Sequence, residues 1–83
     1  MKTEMQGFYQ VNQSDPFITH YYLYMVKAKR YVYFKVDPLG TVLYSDKHED
    51  PGGANYKILT GDSMGKFERI APEAIMRMAG FIS

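Results

Sequence analysis

The chain has 83 residues, 46% of them apolar, which is enough for one small core and argues against a disordered chain. Ten basic and nine acidic side chains leave a net charge of +1, short of the basic excess of a protein that neutralises many phosphates. The absence of cysteine excludes disulfides and thiolate metal sites.

A chain of this length is one domain, 1–83, with a radius of gyration of roughly 12 Å. Folding buries only about 60–65% of its unfolded surface, which leaves little room for a deep catalytic cleft. The start, MKTEMQGFYQ, lacks the apolar run of a signal peptide. The longest uncharged stretch, 17–26, is too short and too polar to span a bilayer. A cytoplasmic, non-membrane protein is expected.

In chain order, residues 1–5 are expected to fray. GFYQV at 7–11 predicts a short strand, and NQSDP a turn. Residues 17–26 are aromatic and β-branched, which predicts a strand, with KAKR as the following turn. From Tyr31 to Val36 the pattern has a period of two: Val32, Phe34 and Val36 face one way, Tyr31, Tyr33 and Lys35 the other. DPLG at 37–40 predicts a tight turn into a strand at 41–46, so 31–36 and 41–46 form an antiparallel hairpin.

DKHEDPGGAN, 46–55, predicts a loop without regular structure, because Pro51, Gly52 and Gly53 interrupt any element. Tyr56 to Thr60 predicts a short strand, GDSMGK a second loop and 67–70 a brief strand. The chain ends in a helix. Pro72 suits its first position, Glu73 and Arg77 complement the dipole, and Gly80 ends it. Ala71, Ile75, Met78 and Ala79 mark the face expected to cover the sheet. The predicted fold class is α+β: an antiparallel meander of four or five strands with one C-terminal helix packed on it. A small SH3- or OB-like barrel is the alternative.

Enzyme chemistry finds little support in the residues. GDSMGK has three residues between its glycines where a phosphate-binding loop has four, and Phe67 follows Lys66 where a hydroxyl is needed. No Gly-x-Ser-x-Gly elbow occurs, and no serine has a local base. Asp46, His48 and Asp50 alternate and so share one side of an extended backbone, but that ligand set is incomplete for a metal. No catalytic residue, metal or cofactor is therefore assigned.

A binding surface is the stronger expectation. From Phe17 to Val36 there are four basic residues and no acid, while 37–50 carries four acids against Lys47 alone. Tyr31, Tyr33, Arg30 and Lys35, joined by Lys29, Tyr22 and Tyr24, make an aromatic and basic surface. Tyrosine and arginine are the residues enriched in protein interfaces. The expected function is a small non-enzymatic binder of another protein, an inhibitor or accessory factor. A single-stranded nucleic-acid binder using the same face is the alternative. KRYVYFKV follows the RNP1 string of RRM proteins in part, but Arg30 stands in place of its glycine, Val32 of its small residue and Val36 of its third aromatic. An exposed edge strand is also able to pair with a second copy as a homodimer.

LYSDKHEDPGGANY, 43–56, resembles a segment of the small outer capsid protein of T4-type phages. The two share a Leu-Tyr-Ser-Asp-x-His run and, after a gap, Gly-Ala-x-Tyr. The resemblance covers fourteen of 83 residues. It implies a non-enzymatic capsid-binding protein encoded by a phage, and no site residue is carried over from it.

Overall fold

The computed structural model describes residues 4–11, 14–61 and 67–80. The elements are β1 (Met5–Val11), β2 (Thr19–Met25), β3 (Arg30–Val36), β4 (Val42–Glu49), α1 (Ala54–Thr60), β5 (Glu68–Ile70) and α2 (Pro72–Met78). All five strands join one antiparallel sheet in the order β4-β3-β2-β1-β5. This is the predicted α+β meander. β4 and β5 remain open edges, so the sheet does not close into the barrel given as the alternative. Among the described residues no helix is long and apolar enough to cross a membrane.

The turns follow from local chemistry. Asp37 Oδ1 accepts the N–H groups of Leu39 at 3.0 Å and Thr41 at 2.8 Å, and Gly40 takes φ 85°. The ladder then shifts by one residue between Lys35 and Val36, a β-bulge at the base of the turn. At the KAKR turn, Lys29 adopts φ 54°, and its N–H returns to the Met25 carbonyl at 3.0 Å. β1 begins earlier than expected, because Met5 pairs with Met25 instead of fraying. Residues 1–3 and most of the 61–66 loop, with its glycine motif, lie outside the described residues.

Two expectations are overturned between 46 and 60. The supposed loop is strand as far as Glu49, because Asp46, Lys47, His48 and Glu49 pair in register with Tyr33, Val32, Tyr31 and Arg30. The supposed strand at 56–60 is the helix α1. Tyrosine, isoleucine and threonine favour a strand there on propensity, but tertiary contacts prevail. Asp50 accepts the N–H groups of Asn55 at 3.2 Å and Tyr56 at 3.1 Å, which satisfies two donors that a helix start leaves open. Tyr56 and Leu59, three apart and so on one helical face, pack against Phe8 and Tyr24. The sheet therefore carries two helices, where one was predicted.

Each helix closes a different face. Leu23, Phe34, Val36 and Ile75 form one core, with α2 laid over β1 and β2. Met78 and Ala79 join it as predicted, whereas Ala71 stays exposed. Gly7 permits this approach: a Cβ there would stand 2.5 Å from the Ile70 carbonyl oxygen and 2.9 Å from Ile75 Cδ1. On the other face Phe8, Tyr24 and Leu59 form a second core beneath α1. The result is a slab of 33 × 32 × 19 Å with a radius of gyration of 12.4 Å, matching the size expected for one domain.

Candidate protein-binding face

Strand alternation places Tyr22, Tyr24, Tyr31, Tyr33 and Tyr44 on the α1 side of the sheet, and Tyr9 and Tyr21 on the other. Three rows of side chains cross the strands. His48, Tyr31, Tyr24 and Gln6 form the first, beside α1. Asp46, Tyr33, Tyr22 and Phe8 form the second, and Tyr44, Lys35, His20 and Gln10 the third. Because α1 sits over Tyr24 and Phe8, the first row is partly roofed. The second row stays open across β3 and β4, with Tyr22 of β2 half-buried beside Phe67, and the third stays open across β2, β3 and β4.

The rings hold one another in place. Tyr22 is the hub, with its ring centroid 5.3 Å from Tyr33, 6.1 Å from Tyr31 and 5.6 Å from Phe67. Tyr31 stacks between Tyr24 at 5.7 Å and His48 at 5.2 Å. Tyr33 contacts Tyr44 at 6.0 Å and stacks on His20 at 5.6 Å, with His20 Nδ1 and the Tyr33 hydroxyl 2.6 Å apart. Tyr44, half exposed at 51%, donates its hydroxyl to Asp46 at 3.2 Å. Offset and tilted ring pairs of this kind stabilise by about 0.5–1.5 kcal/mol beyond their buried area.

The electrostatics make this face nearly neutral. Burial pushes the Tyr22 hydroxyl up to about 12, with Tyr33 and Tyr31 adding to the shift. Burial also raises Tyr31 and Tyr33, and the Asp46 carboxylate raises Tyr44. All of these hydroxyls are protonated donors at neutral pH. Burial, and then the Lys35 charge, lower His20 below its usual 6.5, so this imidazole is neutral as well. Lys35 and Asp46 are the formal charges left on the three open strands of this face.

The residues singled out from the sequence divide into groups. Tyr22, Tyr31, Tyr33 and Lys35 do share one face. Tyr24 shares it too but is only 1% exposed, and its hydroxyl donates to Asp50 at 2.5 Å, so it supports the face from beneath. Arg30 departs from the predicted cluster. It alternates with Tyr31, pairs with Met25 and Glu49, and lines a groove of about 330 Å³ with Val32 and Lys47 on the opposite side. Lys29 lies in the turn at the end of the sheet, exposed. The basic character of 17–36 is thus spread over both faces and an end, instead of gathering beside the tyrosines.

Two contributors went unseen in the sequence. His20 and Tyr44 reach the face because Lys35 pairs with both. The signal for His20 was its spacing of two from Tyr22. The signal for Tyr44 was masked by the bulge, which shifts the phase of β4. The acidic segment also behaves differently from the solvated loop expected. Asp46 and His48 lie 3.6 Å apart on the surface, while Asp50, only 4% exposed, is drawn into the second core by Tyr24, Asn55 and Tyr56. Among the described residues no group of three histidines or carboxylates could hold a metal ion.

Family models, curated proteins and solved structures compared with the chain return no match.

Proposed function

We propose that the protein acts by binding another protein through the open part of the aromatic face, with Tyr33, Tyr44, Tyr31 and His20 at its centre and Lys35 and Asp46 at its edge. It serves as an inhibitor or accessory factor in the cytoplasm and performs no chemistry of its own. The observation that carries this reading is the continuous array of rings across three adjacent strands, held by mutual contact and almost free of formal charge. Interface cores have this composition: rich in tyrosine, depleted in charged side chains. Rings already fixed by their neighbours lose little rotamer freedom on binding, which favours affinity. Asp50, the one buried carboxylate of the described residues, is committed to Tyr24 and to the start of α1, which supports a non-catalytic role.

Single-stranded nucleic acid fits this face less well. Stacking platforms for bases work beside several phosphate-binding cations; among the described residues on this side of β2, β3 and β4 Lys35 is the one cation, and Arg69 of β5 is set apart over the Phe8 ring, 5.4 Å from its centroid.

The test is capture from the native host with the wild-type chain and with Tyr33→Ala/Tyr44→Ala, each confirmed folded by circular dichroism. The double variant is expected to lose the specific partner. Retention of every partner by the variant overturns the reading. Tight binding of a single-stranded oligonucleotide at about 50 mM salt, falling steeply as salt rises, replaces it with the nucleic-acid alternative.

A further inference from the structure

One backbone hydrogen bond settles which way β4 presents its polar groups. The Asp50 N–H donates to the Lys29 carbonyl at 2.8 Å, and these residues stand opposite each other at the end of the β3–β4 ladder. Hydrogen-bonded and non-bonded pairs alternate along an antiparallel ladder. Tyr44, Asp46 and His48 therefore aim their N–H and C=O groups at β3, and Ser45, Lys47 and Glu49 aim theirs outward. β4 is an edge of the sheet, its eight residues make it the longest strand, and every side chain from Leu43 to Glu49 is exposed. The outer side of β4 is thus an open row of donors and acceptors, a template for another strand. The opposite edge, β5, has three residues and offers far less.

We propose that β4 pairs with β4 of a second copy of this chain, antiparallel about a two-fold axis normal to the sheet, with Ser45 on the axis. Charge selects the register. Two symmetric registers have their axis at the middle of β4, at Asp46 or at Ser45, and the second extends to the bulge at Leu43. One places Asp46 on the axis, where two carboxylates oppose each other at the closer, non-hydrogen-bonded spacing of about 4.5 Å between Cα atoms. Like charges directly opposite destabilise a sheet.

The other register places Ser45 opposite Ser45. Tyr44 of each copy then faces Asp46 of the other, Lys47 reaches the bulge at Leu43, and no like charges meet. The Tyr44 hydroxyl, which already donates to Asp46 of its own chain, finds the same acceptor across the axis. Charges on an edge strand usually discourage indiscriminate pairing; here they leave one register open. The product is a single sheet of ten strands, five from each copy, with both aromatic faces on the same side. This pairing shares Tyr44 and Asp46 with the aromatic face, but its backbone hydrogen bonds run along the strand edge whatever that face binds.

The chain has no cysteine, so Ser45→Cys introduces a sole thiol, on the axis. Opposed residues of a hydrogen-bonded pair lie about 5.5 Å apart at Cα, within reach of a disulfide. Mild oxidation is expected to convert S45C to one covalent dimer, while K47C, whose two copies are remote in this register, crosslinks little. By sedimentation the wild-type chain is expected to show twice its 9.6 kDa mass at about 0.1–1 mM. Ser45→Pro removes an N–H that the β3 ladder does not use, and it yields a folded monomer. Ser45→Lys, which opposes two ammonium groups with the backbone intact, does the same. A wild-type chain that stays at 9.6 kDa across that range overturns the proposal. So does crosslinking of K47C as fast as S45C, or a dimer that survives Ser45→Lys.

Discussion

On the α2 side of the sheet, Leu23, Phe34, Val36 and Ile75 meet without a polar side-chain atom among them. On the α1 side, Phe8, Tyr24 and Leu59 close around a carboxylate, Asp50. Both cores arise from the same alternation of the same strands, yet they depend on different physics. The first requires apolar volume and the close approach that Gly7 permits. The second requires that every polar atom it encloses find a partner, because an unpaired buried carboxylate is costly. Asp50 meets that demand with the Tyr24 hydroxyl and the N–H groups that begin α1. Specific hydrogen bonding therefore fixes the position of α1, whereas shape fixes that of α2. Beyond α1 the tyrosine side opens into the proposed binding face, so the polar core is also the foundation of that surface.

The contrast can be broken most forcefully at Ile75. Ile75→Ala leaves a cavity under α2 and is expected to destabilise by about 2–5 kcal/mol in urea titration, with little change in how Tyr22 and Tyr24 of the other face titrate. A loss below about 1 kcal/mol would show that α2 is not the principal closure of that face.

Tyr24→Phe keeps the ring and removes the donor to Asp50. A hydrogen bond to a charged group contributes about 1.5–3 kcal/mol, and a loss of that order is expected, with added exchange of the α1 amide hydrogens. If α1 protection is unchanged, the Tyr24–Asp50 contact does not hold the helix.

The two cores also separate by pH. The Tyr24 hydrogen bond, aided by the Asn55 and Tyr56 N–H groups and opposed by burial, holds Asp50 below its usual 3.8. Its contribution to stability is present above pH 3.8 and is lost as pH falls through the lower folded value. In Tyr24→Phe the largest cause of that shift is gone, so the acid limb moves to higher pH. At the other end, burial raises Tyr22 to about 12 from 10, and burial with the Asp50 contact raises Tyr24 further. Their contribution is fully present below pH 10 and is lost as pH rises through the folded values. Tyrosinate absorbance is expected to develop in two phases, exposed rings first and these two only with unfolding. A single phase with no late component would contradict the burial of both.

The smallest effect on folding is expected where the proposed effect on binding is largest. Tyr44→Ala, on an exposed edge position, should change stability by no more than about 0.5 kcal/mol, while in combination with Tyr33→Ala it abolishes capture of the partner. Equal losses in stability and capture would make these rings sheet packing alone.

The sequence by itself determined whatever is local or periodic. Val32, Phe34 and Val36 alternate with Tyr31, Tyr33 and Lys35, and a period of two has one structural solution. Asp37 and Gly40 specify the turn that joins β3 to β4 because their backbone preferences are intrinsic. Pro72 and Glu73 mark the start of α2 for the same reason. The same alternation assigns Arg30 to the face opposite Tyr31, although its basic neighbours in the chain suggested one cluster.

Tertiary structure decided the rest. Tyr56 to Thr60 has strand propensity and becomes a helix, because β4 delivers Asp50 beneath Tyr24, where its carboxylate can accept the first N–H groups of α1. The acidic run 46–50 reads as a solvated loop until β3 offers it a ladder. Whether Asp50 is solvated or buried depends on a partner that lies 26 positions earlier in the chain. Local spacing carries no record of such a contact, and it is this contact that separates the polar core from the apolar one.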